Sequence, residues 1–516
     1  MKILRKNPQS IPQLIKSGKV TVGIIGLGYV GLPLAILFAN KGAKVIGNDI
    51  REDIVNQIRD GKSPIEEYDV KQYKGRDGRI LKQICPNCAV QLIKASTSIF
   101  CPHCMREVEI RNHHVRLLSR HHTARPNHQT EGSIQTLLQN AVKKGRLLAT
   151  TDTISTAKQS EVILITVGTP IDQSKKPDTT ALQLACAEIG KGLTENGLVI
   201  LKSTVSPGTT ENLVAPIITK NSGLVAGKDY GLAHMPERAL EGLALYEFQN
   251  TPRIVAGIDR RSTLAAAAVF KIFPAPIFIY DNPKITEAAK LFENIYRDTN
   301  IALSNELALA CEALGIDVMK VIEAAHTDPK THLLTPGAGV GGYCLPKDTY
   351  YLIEAASKRG FTPKLITQAR EINDKMPSHM LQLVKEAYDE LHIPVKGSAI
   401  AVLGLAFKGN SGDTRNSPTL TFVDELNKLQ PNIIVQDPLA DHLARNPFNF
   451  TPDLQKAVSS AESIVLMTDH TQYRTISPKW LRKYAPNLKA IIDGRHVFDP
   501  NKVKEAGFVY KGLGRQ

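Results

Sequence analysis

A chain of 516 residues, 42% of them hydrophobic, has room for about three domains and for a large core that needs no disulfide staples. No run approaches the ~18 consecutive apolar residues of a membrane span. The basic N-terminal stretch MKILRKNPQSIPQLIKSGK lacks a long apolar run and a small-residue cleavage site, so a soluble, cytoplasmic protein without a membrane partner is expected. The formal net charge of +14 is uneven, because residues 71–130 carry eleven Lys and Arg against three acids. Charge alone does not separate a nucleic-acid partner from a polyanionic small ligand.

Residues 1–19 read as an N-terminal extension. Val20 to Ile50, VTVGIIGLGYVGLPLAILFANKGAKVIGNDI, then reads as strand, glycine turn, helix and strand. Gly26, Gly28 and Gly31 make GxGxxG, with Tyr29 and Val30 inside the turn and Asp49 at the end of the next strand. That motif between a strand and a helix, with an acid about 20 residues later, points to a dinucleotide. Gly26 allows the turn, Gly28 lets the backbone approach a pyrophosphate, and Gly31 lets helix meet strand. Asp49 would accept from a ribose diol and repel a 2′-phosphate, which predicts NAD over NADP.

Next in the chain come CPNC and CPHC, with Cys85, Cys88, Cys101 and Cys104 in two pairs separated by twelve residues. In a reducing compartment this spacing points to structural zinc held by four thiolates, in a ribbon-like knuckle. RNHHVRLLSRHHTARPNHQ follows. It could bind RNA, DNA or an acidic partner, or serve as a solvated linker, and it has almost no aromatics for base stacking.

The alternation then resumes with EVILITVGTP, GLVILKSTV, YGLAHMPE, RIVAGID and PIFIYD. Short apolar strands spaced by helical patterns describe a doubly wound α/β sheet. Thr169 closes the VGTP turn after such a strand, and it is expected, with Thr204 in STVSPGTTE, at the cofactor site. Glu237 and Glu241 in HMPERALEG stand four apart. A glutamate there could serve as a general base for water or simply form a structural salt bridge.

From Thr286 to about Ala325 the chain is almost continuously helix-compatible, which suits a long helix between domains. Within it KLFEN sets Lys290 and Asn294 one turn apart on one face. They are either two donors for a developing oxyanion or a solvated helix face. PGAGVGGYCLPKD follows, a glycine ramp ending at Cys344, with Lys347 and Asp348 just beyond. The glycines belong either to a tight turn or to a loop that clears room for a ligand to reach the sulfur. Cys186 and Cys311, in apolar helical patterns, read as core. A dehydrogenase with a nucleophilic cysteine can hold an aldehyde as a thiohemiacetal, oxidise that to a thioester and hydrolyse it. A second set of strands, AIAVLGLAF, NIIVQDP, SIVLMTDH and AIIDGRH, describes another nucleotide-type domain with a different first turn, GLAFKGNSGDTRNSP.

Eight stretches in order, GLGYVGLP, ITVGTP, STVSPGTTE, PERALEG, EAAKLFEN, PGAGVGGYCLPKD, GLAFKGNSGDTRNSP and IIDGR, resemble the UDP-sugar 6-dehydrogenase family across nearly the whole chain. The resemblance implies two Rossmann-like domains joined by a long central helix. It places an NAD-binding domain at 20–281, a central helical and dimerisation domain at 282–380 and a UDP-sugar-binding domain at 396–516. It makes Cys344 the nucleophile, Lys290 and Asn294 the oxyanion donors, Asp348 an aid to water and Glu237 the residue of thioester hydrolysis. Glu241, Gly339, Gly341, Gly342, Lys408, Arg415 and Arg495 fall to the substrate. It further implies two NAD consumed per sugar and a homodimer or higher homo-oligomer. NIYRDTNIALSNELA and HMPER, with Arg297 and Arg238, look similar to the UDP-N-acetylmannosamine dehydrogenases. UDP-N-acetyl-D-mannosamine is therefore expected ahead of UDP-N-acetylglucosamine and UDP-glucose. Residues 68–131, with the cysteine pairs, depart from the family pattern as an insertion in the N-terminal domain. A regulatory nucleic-acid-binding protein that kept the fold is the alternative of another class. The presence of Cys344, Lys290, Asn294 and Asp348 together favours the enzyme.

Overall fold

The computed structural model describes residues 3–65, 133–239, 244–440 and 449–515, together with four short strands between residues 93 and 117. The chain divides into two compact units. The first comprises residues 1–72, 126–293 and 350–362, and the second 73–125, 294–349 and 363–516. In chain order the strands are β1 (Thr21–Ile25), β2 (Lys44–Asn48), β3 (Ile93–Ala95), β4 (Ser98–Phe100), β5 (Glu107–Arg111), β6 (His114–Leu117), β7 (Leu147–Thr150), β8 (Val162–Ile165) and β9 (Leu198–Leu201). There follow β10 (Gly231–His234), β11 (Arg253–Gly257), β12 (Ile277–Ile279), β13 (Ala399–Leu403), β14 (Asn432–Gln436), β15 (Phe450–Thr451), β16 (Ser463–Leu466), β17 (Ala490–Asp493) and β18 (Val509–Gly512).

The first unit is built on an eight-stranded sheet in the order β12-β11-β10-β9-β8-β1-β2-β7. Neighbours are parallel except β10 and β11. Strands β8 and β9 read VILI and LVIL and are buried at every position, the pattern of a parallel strand covered on both faces. Alternation sorts their side chains. Ile24, Leu164 and Ile200 join a cluster with Phe38 and Phe270 on one face, while Ile25, Ile163 and Leu201 join another with Cys186. Residues 3–16 are part of that core, since Ile3, Leu4, Ile11 and Ile15 are buried in the first cluster. The extension read from the sequence is thus a packed element, and the Leu4 N–H donates to the Asn196 carbonyl at 3.2 Å.

The second unit holds a six-stranded, wholly parallel sheet in the order β15-β14-β13-β16-β17-β18. One mainly parallel and one wholly parallel sheet, alternating with helices along the chain, are the α/β arrangement that the strand–helix alternation predicts. The long helix spans Pro283–Leu314 and does not continue to Ala325. Gly315 adopts φ 68°, the left-handed conformation that ends helices, and the Asp317 carboxylate then caps a separate helix, Val318–Ala325.

Within the second unit a buried ion pair joins Arg370, on helix Lys364–Glu390, to Asp298, each side chain 1% exposed. Asn373 Nδ2 donates to Asp298 Oδ1 at 2.8 Å, and Asn305 Nδ2 donates to Asn373 Oδ1 at 2.9 Å. Asn305 Oδ1 accepts from the Gly337 N–H at 2.8 Å. This chain of bonds fastens the start of the glycine ramp to two helices.

Strands β3 to β6 form a four-stranded antiparallel sheet. The cysteines of the expected zinc knuckle, Cys85, Cys88, Cys101 and Cys104, lie outside the described residues. Among the described residues no group of His, Cys, Asp or Glu could hold a metal, and no helix is long and apolar enough to cross a membrane.

Candidate active site and nucleotide-binding turns

The glycine turn after β1 forms at the switch point of the first sheet, where β1 has β2 on one side and β8 on the other. Gly26 has φ 97°, and its N–H donates to the Asn48 carbonyl at 2.7 Å. A Cβ on Gly31 would lie 1.7 Å from the Gly26 carbonyl oxygen, so only glycine lets this helix start against the strand. Gly28 is the opposite case. Nothing lies within 4 Å of its missing Cβ, which leaves open backbone before the N-terminus of helix Gly31–Asn40. Such a cradle fits a pyrophosphate. Tyr29 is exposed and Val30 caps the helix. Asp49, half-buried, accepts from the Leu27 N–H at 2.8 Å and the Arg51 N–H at 3.0 Å. A carboxylate with both oxygens oriented this way and its edge still open to solvent suits a ribose diol.

Thr169 and Thr204 meet across two neighbouring turns, the Thr169 hydroxyl donating to the Thr204 carbonyl at 2.7 Å. The sequence reading missed the residue that secures both. The Tyr351 hydroxyl, fully buried, donates to the Thr169 carbonyl at 2.6 Å, and the Ser206 hydroxyl donates to the Tyr351 carbonyl at 3.3 Å.

In the second unit Cys344 is exposed and sits at the N-terminus of helix Leu345–Ser357, its carbonyl accepting from the Lys347 and Asp348 N–H groups at 3.1 and 2.9 Å. The positive end of the helix dipole favours the thiolate there. Asp348 is fully buried and bracketed, accepting at Oδ1 from Lys347 Nζ (2.8 Å) and at Oδ2 from Asn294 Nδ2 (2.5 Å). The Lys347 ammonium also lies 4.9 Å from the Tyr343 ring centroid. The aspartate and asparagine side chains meet here, and Cys344 reaches Asp348 through its backbone carbonyl. One N–H of Asn294 is engaged by Asp348, which leaves the other for an oxyanion.

The glycine ramp is filled by protein. A Cβ on Gly341 would lie 2.5 Å from Phe407 Cβ and 2.6 Å from the Asn416 carbonyl oxygen. Gly339 and Gly342 are equally close to Pro418 and to the Phe407 ring. Of the two readings of this loop, the described contacts are those of a tight structural approach. Arg495 donates to the Met467 carbonyl at 2.7 Å and reaches the Gly339 carbonyl at 3.4 Å, and the Gly342 N–H donates to the Arg415 carbonyl at 2.8 Å. Arg415 also forks onto Asp413, and Lys408 lies half-buried in the same turn.

The remaining site residues fall in the first unit. Lys290 is half-buried on the long helix, one turn before Asn294. Glu237 Oε1 accepts from the Arg238 and Ala239 N–H groups at 2.8 and 3.0 Å, while Oε2 pairs with Lys202 at 3.1 Å. Arg238 forks onto Glu293. Glu241 lies outside the described residues. Lys202 escaped the sequence reading, although a lysine ending the apolar run LVIL at the carboxyl end of a parallel strand was a signal.

Residues 20–79 and 103–274 match the NAD binding domain of the UDP-glucose/GDP-mannose dehydrogenase family, residues 284–375 its central domain and residues 401–500 its UDP binding domain. The chain belongs to the UDP-glucose/GDP-mannose dehydrogenase family. It is accordingly an NAD-dependent nucleotide-sugar dehydrogenase, and the open cradle at Gly28 fits that cofactor. A relative named UDP-N-acetyl-D-mannosamine dehydrogenase, from Pyrococcus horikoshii, is 32% identical over 495 residues, covering 96% of this chain and 99% of the relative. The solved structure of UDP-D-ManNAc dehydrogenase from Pyrococcus horikoshii superposes with a TM-score of 0.77 at 32% identity, covering 96% and 99% of the two chains. A UDP-glucose dehydrogenase structure from Pyrobaculum islandicum gives 0.75 at 25% identity, covering 96% and 98%.

Proposed function

We propose that this dehydrogenase oxidises the C6 hydroxyl of a UDP-N-acetylhexosamine twice, with UDP-N-acetyl-D-mannosamine as the preferred substrate. The observation that carries the reading is the exposed Cys344 thiol at a helix N-terminus, beside the buried Asp348 held by Lys347 and Asn294. NAD, when bound on the Gly26–Gly31 turn, accepts a hydride in each of the two oxidations. The Cys344 thiolate adds to the C6 aldehyde, giving a thiohemiacetal whose oxygen Lys290 and Asn294 stabilise. Loss of the second hydride leaves a thioester on sulfur. Water then replaces the sulfur, with Glu237 as base and Asp348 orienting, and the uronic acid departs. Lys408, Arg415 and Arg495 hold the diphosphate, a task suited to a point charge and guanidinium forks. The names of the relatives support the N-acetylmannosamine choice, and Arg238 and Arg297 are the residues on which we rest it.

NADH absorbance decides this. Two NADH per sugar are expected with UDP-N-acetyl-D-mannosamine, slower turnover with UDP-N-acetylglucosamine and UDP-glucose, and no completed oxidation in Cys344→Ser. A wide preference for UDP-glucose would overturn the substrate.

Two further parts belong to the same reading. The long helix leaves Phe292, Tyr296, Leu303, Leu307 and Leu314 exposed at spacings of four and seven, an apolar stripe that supports a homodimer built through this helix. The cysteine pairs 85/88 and 101/104 supply four thiolates, a donor set that closes a tetrahedral zinc shell and leaves no open position, so zinc there is structural. Metal analysis should find one zinc per chain, lost in Cys85→Ser/Cys101→Ser.

A further inference from the structure

Lys202 follows β9 directly, and its side chain is 1% exposed. A buried ammonium needs acceptors, and this one has two. It pairs with Glu237 Oε2 at 3.1 Å and donates to the Met235 carbonyl at 3.1 Å, while its Nζ lies 4.9 Å from the Phe270 ring centroid. Glu237 is held from the other side by two backbone N–H groups on Oε1. With Oε1 doubly engaged and Oε2 singly, one lone pair of Oε2 is left to take a proton.

The charged groups facing this pair are few. Arg253 stacks on Phe270 and Phe273 and acts on the same carboxylate, and Lys290 opposes the ammonium. His234, fully buried, is pushed down to about 3 by that burial and stays neutral. Burial pushes the Lys202 amine down from its usual range, while the Glu237 carboxylate draws it back up.

We propose that Lys202 is a positioning residue for hydrolysis of the acyl-enzyme, holding the Glu237 carboxylate fixed so that Oε2 can take the proton of the attacking water. This rests on the reading of Glu237 as the hydrolytic base. The water oxygen bonds to the acyl carbon as its proton passes to Glu237. The carbon–sulfur bond then breaks, and Cys344 leaves as the thiolate with the electron pair. Removing the cation takes away the bond that fixes Oε2, so the carboxylate is free to turn away from the water.

The test is the first-order decay of acyl-Cys344 in the full-length enzyme, followed by rapid quench and intact-mass spectrometry. In Lys202→Met the acyl species should accumulate, with its decay slowed about tenfold. The rates of the two hydride transfers in the first turnover should change far less than the decay, so that steady-state kcat and KM for the sugar fall together. Lys202→Gln, which keeps a donor without the charge, should show the same accumulation and covers the case in which the methionine variant does not fold. Lys202→Arg should restore the decay. Glu237→Gln should accumulate acyl-enzyme. Parent-like decay in Lys202→Met or Lys202→Gln, with accumulation in Glu237→Gln, overturns the role of Lys202 alone. Rapid decay in Glu237→Gln overturns the base itself.

Discussion

Gly341→Ala tests whether the glycine ramp is a packing device. Gly341 has no left-handed backbone to lose, so the added methyl acts through space alone. It would sit 2.5 Å from Phe407 Cβ, 2.6 Å from the Asn416 oxygen and 2.9 Å from Pro418 Cδ. Ordinary contacts between such atoms lie near 3.5 to 4 Å, so the loop must move by about 1 Å. The obstructing atoms are a backbone oxygen, a Cβ and a proline ring, none of which can rotate away. Overpacking of this kind costs about 1–3 kcal/mol. A nucleophile displaced by about 1 Å lowers kcat by about 100-fold. NADH formation gives kcat and KM, and alkylation by iodoacetamide, read on the peptide that carries Cys344 by mass spectrometry, reports that thiol directly. Cys186, whose thiol burial pushes up to about 12, stays silent in that assay. Gly28→Ala is the control, because nothing stands within 4 Å there; it should leave the fold intact and raise KM for NAD. If Gly341→Ala kept kcat and the alkylation rate within twofold of the parent, the packing argument would be wrong.

Arg370→Met leaves Asp298 buried and uncompensated, and a loss of about 3–5 kcal/mol should appear as a large drop in thermal midpoint. His234 is held at about 3, below its unfolded value near 6.5, so its contribution is complete above pH 6.5 and is lost on acidification. By pH 5 the loss is about 2 kcal/mol, and His234→Asn should flatten the pH dependence of urea unfolding. Tyr296→Glu with Leu303→Glu places charges on the apolar stripe of the long helix, and analytical ultracentrifugation should then find monomers.

Much of the first sheet is legible in sequence because its signals are local. GxGxxG, the fully apolar strands and Asp49 each announce a backbone or burial requirement within a few residues. The glycine after Leu314 is a local signal too, yet helix propensity summed over forty residues hides the single left-handed position that stops the helix. Lys202, Tyr351 and the chain from Arg370 to Gly337 are illegible for another reason. Each side chain meets partners more than thirty residues away, so only the assembled core gives it meaning. The ramp shows the same limit. Its glycines mark a close approach, but the sequence does not say whether protein or ligand does the approaching.

The acid that ends the second strand occurs in both sheets, and its surroundings differ. Asp437, after β14, is wholly buried and accepts from the N–H groups of Leu405, Ala406, Leu439 and Ala440 and from His470. Every lone pair that could greet a sugar hydroxyl is already taken. Of these two acids, only Asp49 keeps an edge open to a hydroxyl, so a test of coenzyme preference begins there. The later duplicate behaves as a keystone, and altering it would loosen masonry without changing what the enzyme recognises.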